Sequence, residues 1–469
     1  MREFVQHIHF VGIGGTGMSG IAAVLLDQGY RVSGSDQSDS TTVQRLVMQG
    51  AQISIGHDPE NILTADVVVV STAIPNDNPE LVAARIKSIP VIPRAEMLAE
   101  LMRFRKGIAV AGTHGKTTTT SLIASVLATA GLDPTFVVGG LVNSVQGNSR
   151  LGSGEYLVAE ADESDASFLR LHPSIAVVTN IDRDHMDTYD QDFDKLVEVF
   201  YDFLHNLPFY GLAVLCLDDL VVRKLLERLR KTVITYGLHK TADYWASDVL
   251  QVGARTKFKA HRPQEESIQI NLSLPGTHNV RNAMAAVAVC DKLGVEPHHI
   301  ALGLSSFQGI ARRFEILGSI QCRDGTAILM DDYAHHPREL EATLEAAHVC
   351  WPDQEFLVVF QPHRYSRTSD LFDDFVEILS REERLVVCEV YPAGEKRIEK
   401  ADGRSLCEAI GSRGKGKPVF LENVFDLPNL LAGLLRQDDV LLTLGAGNIG
   451  RVAKALMDNP IDWTMGNRT

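Results

Sequence analysis

Short runs rich in β-branched and aliphatic residues alternate along the chain with stretches whose apolar positions recur at helical spacing, and turn residues fall between them. His7–Val11, Val67–Val70, Ile108–Ala111, Tyr156–Ala159, Ile175–Val178, Ala327–Met330, Phe356–Phe360, Leu385–Cys388 and Val440–Leu444 read as strands. Such alternation predicts an α/β fold with largely parallel sheets. Residues 240–272 fit the pattern least and read as short antiparallel strands.

The pattern pauses twice. Met102-Arg103-Phe104-Arg105-Lys106-Gly107 is a basic, Gly-terminated stretch before a new strand. Gly309-Ile310-Ala311-Arg312-Arg313-Phe314 follows a helix-like Asn282–Leu293 that Gly294 stops. Three domains are expected: residues 1–104, 105–313 and 314–469. At 469 residues the chain exceeds what one core ordinarily organises.

Composition narrows the function classes. Lys and Arg total 45 against 60 Asp and Glu, so the net charge of -15 gives no support to nucleic acid or an anionic membrane as partner. The six cysteines are widely spaced, without a CxxC pair, and fit buried free thiols in a reducing compartment. No apolar run approaches the ~18 residues of a membrane-spanning helix, and Met1–Gln6 leads directly into a strand. The expected compartment is the cytoplasm.

Ile108-Ala109-Val110-Ala111 reads as a buried strand, Gly112-Thr113-His114-Gly115-Lys116-Thr117 as a loop, and Thr118–Ala130 as a helix closed by Gly131. This is the context of a phosphate loop: glycines let N–H groups converge on phosphate oxygens, Lys116 reaches the outer phosphates, and Thr117 offers a hydroxyl to Mg²⁺. Val110 stands where the general pattern has glycine, so the loop is a shortened variant. Beside it, Tyr156–Ala159 runs into Glu160, Asp162 and Glu163, and Ser174–Thr179 runs into Asp182, Asp184 and His185. Mg²⁺ prefers oxygen, and spacing alone nominates the aspartates of this run in preference to His185.

Gly12-Ile13-Gly14-Gly15-Thr16-Gly17 fits GxGxxG between strand and helix, with Asp36 downstream; Gly445-Ala446-Gly447-Asn448-Ile449-Gly450 repeats the pattern. The motif reports a tight turn, which serves a diphosphate or close helix–strand packing equally well. In the third domain, Asp331-Asp332-Tyr333-Ala334-His335-His336-Pro337 joins a strand to a helix start. The histidines there suit catalysis, a helix cap or a metal. Arg364 and Arg367, after Phe356–Phe360, could clamp a carboxylate or phosphate, or be ordinary surface arginines.

Together these segments resemble the Mur ligase family along essentially the whole chain. Residues 9–20, Ala111–Thr119, Glu160–Phe168, Asp184–Tyr189, Gly276–Ala283, Arg312–Glu315, Asp332–Pro337 and Phe360–Thr368 are all similar to its motifs. The family shares the shortened phosphate loop.

The resemblance implies a Rossmann-like first domain, a P-loop-type ATPase domain and a Rossmann-like third domain. It implies ATP-dependent ligation of an amino acid, here L-alanine, to the carboxylate of UDP-N-acetylmuramate through an acyl phosphate. The chain would act as a monomer or homodimer. Carried over position by position, it places the UDP-sugar at Gly14, Gly15, Thr16, Gly17, Asp36 and Ser71, against a nicotinamide reading of the first fingerprint. ATP would meet Gly112, Thr113, His114, Gly115, Lys116, Thr117, Thr118, His278, Asn279 and Asn282. Mg²⁺ would be held by Thr117, Glu160 and His185, which replaces the all-oxygen set. Lys116, Arg313, His335, Arg364 and Arg367 would carry the chemistry.

Overall fold

The computed structural model describes every residue except Arg2, Thr72, Gln146, Lys415 and 459–469. The chain divides into two compact units. One comprises Met1–Leu250, Lys257–Ser273 and His278–Gln308; the other comprises Gln251–Thr256, Leu274–Thr277 and the chain from Gly309 onward.

Within the first unit, a five-stranded parallel sheet runs in the order Gln52–Ile55, Arg31–Asp36, His7–Val11, Val67–Val70, Val91–Pro93. Chain order reverses beside His7–Val11, which opens a crevice at the strands' carboxyl ends where ligands of such sheets bind. Every residue of His7–Val11 is buried, as a strand covered on both faces must be. Its two histidines therefore need internal partners. His7 Nε2 and His9 Nδ1 both lie 2.8 Å from Ser33 Oγ, and His7 Nδ1 is 2.6 Å from the Thr64 carbonyl.

Glu80, fully buried, closes this layer. It accepts from Ser35 Oγ and Asn61 Nδ2, each at 2.6 Å, and lies 3.4 Å from His9 Nε2. Burial alone would push its carboxyl up, but the hydrogen bonds from His9, Asn61 and Ser35 outweigh it and bring the group down to about 2. Ser35 also accepts at its carbonyl from Gly12 N–H at 2.9 Å and Ile13 N–H at 3.0 Å. The buried carboxylate thus supports the floor of the first glycine loop.

A ten-stranded sheet follows, centred on Lys106–Ala111 with Ile175–Val178 on one side and Tyr156–Glu160 on the other. Both neighbours are parallel to it, so the loops after all three strands emerge at the same end. Beyond them, Tyr244–Val252, Arg255–Arg262 and Glu265–Leu272 extend one flank. They are longer than the sequence pattern suggested.

The second unit holds a six-stranded sheet. Glu315–Cys322 pairs antiparallel with Gly325–Asp332, which is followed across the sheet by Val440–Leu444, Phe356–Phe360, Leu385–Cys388 and Val419–Leu421 in parallel. Apolar side chains pack on both faces, Leu340, Phe360 and Phe375 on one and Leu329, Val359 and Leu427 on the other.

The cysteines are unpaired, and all but the half-buried Cys350 are buried. Burial pushes Cys216 up to about 11 and Cys388 up to about 12, which keeps them as inert thiols. Among the described residues, no helix is long and apolar enough to cross a membrane.

Candidate active site

The phosphate loop is built by strand neighbours. Val110 is fully buried and pairs with Val177 and Glu160, so the position where a longer loop would have its first glycine is still sheet. Gly112 has φ +130°, and a Cβ there would lie 2.1 Å from Thr179 Oγ1. Gly115 has φ +82°, and a Cβ there would lie 2.5 Å from Asn282 Oδ1. Only glycine meets both demands at each position.

The loop after Ile175–Val178 grips this one. Asn180 Oδ1 accepts from His114 N–H at 2.8 Å, Thr179 Oγ1 donates to the His114 carbonyl at 2.6 Å, and Asp182 N–H donates to Thr113 Oγ1 at 2.9 Å. The helix Lys116–Thr129 opens two residues earlier than the sequence pattern indicated and has no side-chain cap. Its positive end faces the loop, as anion binding requires. Thr117 and Thr118 lie in its first turn.

Lys116 Nζ donates to Glu163 Oε1 at 2.8 Å and Oε2 at 2.7 Å, and to the Gly112 carbonyl at 2.6 Å. Burial opposes its charge, but Glu163, Asp162 and Glu160 more than compensate and hold the ammonium protonated. Glu160 ends its strand, and one of its oxygens accepts from Gly139 N–H at 2.6 Å, which fixes the carboxylate's direction. His185 follows Ile175–Val178, adopts φ +54°, and lies 3.5 Å from Asp184. Thr117, Glu160 and His185 therefore leave the same ends of three adjacent parallel strands.

The helix Thr277–Lys292 starts earlier than expected and carries His278, Asn279 and Asn282 in its first turns. Asn282 joins the loop helix by accepting from Thr119 Oγ1 at 3.2 Å, and donates to Asn279 Oδ1 at 3.2 Å.

At the first glycine loop, Gly14 N–H donates to Asp36 Oδ2 at 2.9 Å, so Asp36 shapes the turn itself. A Cβ on Gly14 would come within 2.8 Å of that oxygen, and one on Gly17 within 3.0 Å of the Arg94 guanidinium. Gly15 caps the helix Thr16–Asp27 without a side-chain bond. Ser71 follows Val67–Val70 at the neighbouring strand's carboxyl end. Arg94, which the sequence did not single out, also pairs with Asp162 at 3.1 Å. In the sequence Glu163 stands only as one acid in a cluster. Its offset from Glu160, three residues beyond a strand end, was the available signal.

The second unit gathers its own set. Arg313 lies 3.9 Å from Glu339, and Glu339 lies 3.4 Å from His335 Nδ1. That nitrogen also faces the Tyr333 carbonyl at 2.9 Å. A carbonyl only accepts, so Nδ1 bears the proton and Nε2 is the basic nitrogen of the neutral ring. His336 takes a different part: it caps the helix Pro337–Cys350 in a capping box with Glu339. Asp332 is buried and accepts from Phe314 N–H at 2.6 Å and Ala334 N–H at 2.8 Å. Burial raises its carboxyl to about 6 against the pull of Arg313.

The His363 ring is 5.8 Å from that of His335, and Arg367 Nη1 donates to the His363 carbonyl at 3.2 Å. Arg367 is buried rather than a surface arginine. Arg364 adopts φ +71°, and among the described residues its buried Nε has no hydrogen-bond partner.

Comparison with known proteins identifies the family. Three family models match: the Mur ligase family catalytic domain over residues 7–106, the Mur ligase middle domain over 110–290, and the Mur ligase glutamate ligase domain over 312–447. The UDP-N-acetylmuramate–L-alanine ligase of Halorhodospira halophila is 57% identical over 446 residues, 95% of this chain and 92% of that protein. Among solved structures, the UDP-N-acetylmuramate–alanine ligase of Thermotoga maritima superposes with a TM-score of 0.82 at 30% identity, covering 96% of this chain and 98% of that one. A murein peptide ligase of Psychrobacter arcticus shares the fold with a TM-score of 0.72 at 23% identity, covering 99% of both chains. From the amino-terminal glycine loop to the third-domain arginines, this chain belongs to the Mur ligase family.

Proposed function

We propose that the protein joins L-alanine to the carboxylate of UDP-N-acetylmuramate, converting ATP to ADP and phosphate, in cytoplasmic peptidoglycan precursor synthesis. The observation that carries the proposal is the phosphate loop, whose Lys116 stands among carboxylates at the ends of adjacent parallel strands. The choice of acceptor and amine rests on the relative at 57% identity and the solved structure at 30%.

The three domains, 1–104, 105–313 and 314–469, then divide the labour. Gly14, Gly15, Thr16, Gly17, Asp36 and Ser71 form the UDP-sugar site at the first sheet's crevice. Gly112–Thr118 with His278, Asn279 and Asn282 receive ATP. Phosphate oxygens exchange with Glu163 at Lys116 Nζ. Glu160, Asp162 and Glu163 leave this site rich in negative charge, which suits a divalent cation. Thr117, Glu160 and His185 would hold Mg²⁺, which would supply charge neutralisation for the transferring phosphoryl group.

A carboxylate is a poor acyl donor because its leaving group would be oxide. Its oxygen attacks the γ-phosphorus, a new O–P bond forms, and the bond to ADP breaks. Lys116 and Arg313 offset the repulsion between the two anions. The alanine amine, relieved of its extra proton by His335 Nε2, attacks the acyl carbon; phosphate leaves with the C–O electron pair and carries off the second proton that the nitrogen sheds in becoming an amide. Arg364 and Arg367 orient the amino acid's carboxylate and the acyl phosphate.

The test is ATP-dependent phosphate release with UDP-N-acetylmuramate and Mg²⁺, adding alanine, serine, glycine or murein tripeptide separately. Release that depends on alanine is expected; release with tripeptide alone would move the protein to a peptide-adding reaction. His335→Ala should lower turnover at saturating alanine by about 10²-fold or more, and unchanged turnover would remove it as the base.

A further inference from the structure

The second glycine loop is filled by its own chain. A Cβ on Gly450 would lie 2.2 Å from Arg312 Nε and 2.3 Å from its Cζ, and one on Gly447 would lie 2.5 Å from Gln361 Oε1. Ile449 N–H, the first of its helix, donates to the same Gln361 oxygen at 2.9 Å. Where a diphosphate would approach such a loop, a guanidinium and a carboxamide already stand.

Arg312 is held on several sides. Its Nε donates to Asp331 Oδ2 at 2.7 Å, Nη2 donates to the Gly445 carbonyl, and the guanidinium lies 5.0 Å from the Tyr333 ring centre. Asp331 is fully buried, and its other oxygen accepts from Thr443 Oγ1 at 2.7 Å. The Arg312 backbone is pinned as well: its N–H donates to Glu315 Oε2 at 2.7 Å and its carbonyl accepts from Tyr333 N–H at 2.7 Å. Arg312 and Phe314 have φ +61° and +49°, a region that L-residues keep only when their surroundings impose it. Arg313 lies between these two strained residues.

We infer that Arg312 is the positioning residue for Arg313: its guanidinium, seated in the second glycine loop against Asp331, roots the 309–314 connection in the third domain and fixes where Arg313 stands. The loop is a socket for an internal cation, and its last glycine exists to admit that cation. The inference rests on the proposed role of Arg313 in phosphoryl transfer.

Gly450→Ala and Arg312→Gln attack the same contact from opposite sides, because the nearest atoms an added methyl group at 450 would meet are those of the Arg312 guanidinium. Phosphate release is measured for both variants, their double variant, Arg312→Lys and Arg313→Ala, normalised to the folded fraction, with ADP affinity measured alongside. Each single change at 312 or 450 is expected to lower kcat by about 10–100-fold, leaving KM for UDP-N-acetylmuramate and Kd for ADP within about twofold. Arg312→Lys, which keeps the charge but loses the fork, should recover only part of the loss. The double variant should be no worse than Arg312→Gln alone, because both remove one interaction.

Full kcat in Arg312→Gln beside an inactive Arg313→Ala overturns the inference. So do independent, multiplying losses in the double variant. An Arg313→Ala enzyme with undiminished kcat overturns the role of Arg313 itself, and the inference with it.

Discussion

The two glycine loops share a spacing and a place after a parallel strand, yet they receive different things. At residues 12–17 the glycines accommodate Asp36 and Arg94 while the following helix starts without a side-chain cap. At 445–450 they accommodate Arg312, Gln361 and Tyr391, and Gln361 caps the following helix. The motif guarantees only that something approaches the backbone closely; distant residues decide what does. Each loop also rests on a buried carboxylate, Glu80 under the first and Asp331 under the second.

The largest effect that would sharpen this contrast comes from Glu80→Gln. Glu80 has its carboxyl near 2 instead of the ordinary 4.5, so its stabilisation is fully present above about 4.5 and is lost as pH falls toward 2. Urea unfolding at pH 7 should find the variant less stable by on the order of 3 kcal/mol. The gap should narrow steadily below pH 4.5. A gap independent of pH would mean that shape, not charge, supports the loop.

Next in size, Gly14→Ala should raise KM for UDP-N-acetylmuramate at least about tenfold, roughly 1.4 kcal/mol, while kcat at saturation holds. Gly450→Ala is expected to do the reverse. If both variants moved the same parameter, the two loops would be doing one job and the contrast would collapse.

The smallest effect concerns the cap. Gln361→Ala should cost about 1 kcal/mol in unfolding and speed hydrogen exchange at the Ile449 amide. Unaltered protection of that amide would show that Gln361 does not hold the second loop.

What the sequence made legible was local. Lys106–Ala111, the loop and the helix Lys116–Thr129 are contiguous, so strand, glycines and helix announce one another, and the apolar run Val440–Leu444 coincides with its strand. His335 and His336 were adjacent and equivalent on paper. Their separation into a Tyr333-held ring and a helix cap depends on Tyr333 and Glu339 geometry that spacing cannot give. Glu163 reaches Lys116 across 47 residues and Arg312 reaches Gly445 across 133, and no periodicity encodes such pairings. The flank at 244–272 did carry a signal. Thr256, Phe258 and Ala260, then Ile268, Ile270 and Leu272, alternate inward, but the polar residues between them obscured the period of two.

The contact between Lys116 and Glu163 has a consequence for how the phosphate loop weighs its ligands. A carboxylate tethered within hydrogen-bond reach of the ammonium is a built-in competitor, present at a fixed effective concentration that dilution cannot lower. On the proposed function, a phosphate that takes Lys116 would displace this contact, so its measured affinity would be the intrinsic affinity discounted by the strength of the pair. When phosphate departs, the competitor returns without diffusing. On the proposed function, the loop would thereby give up tightness of binding for ease of release.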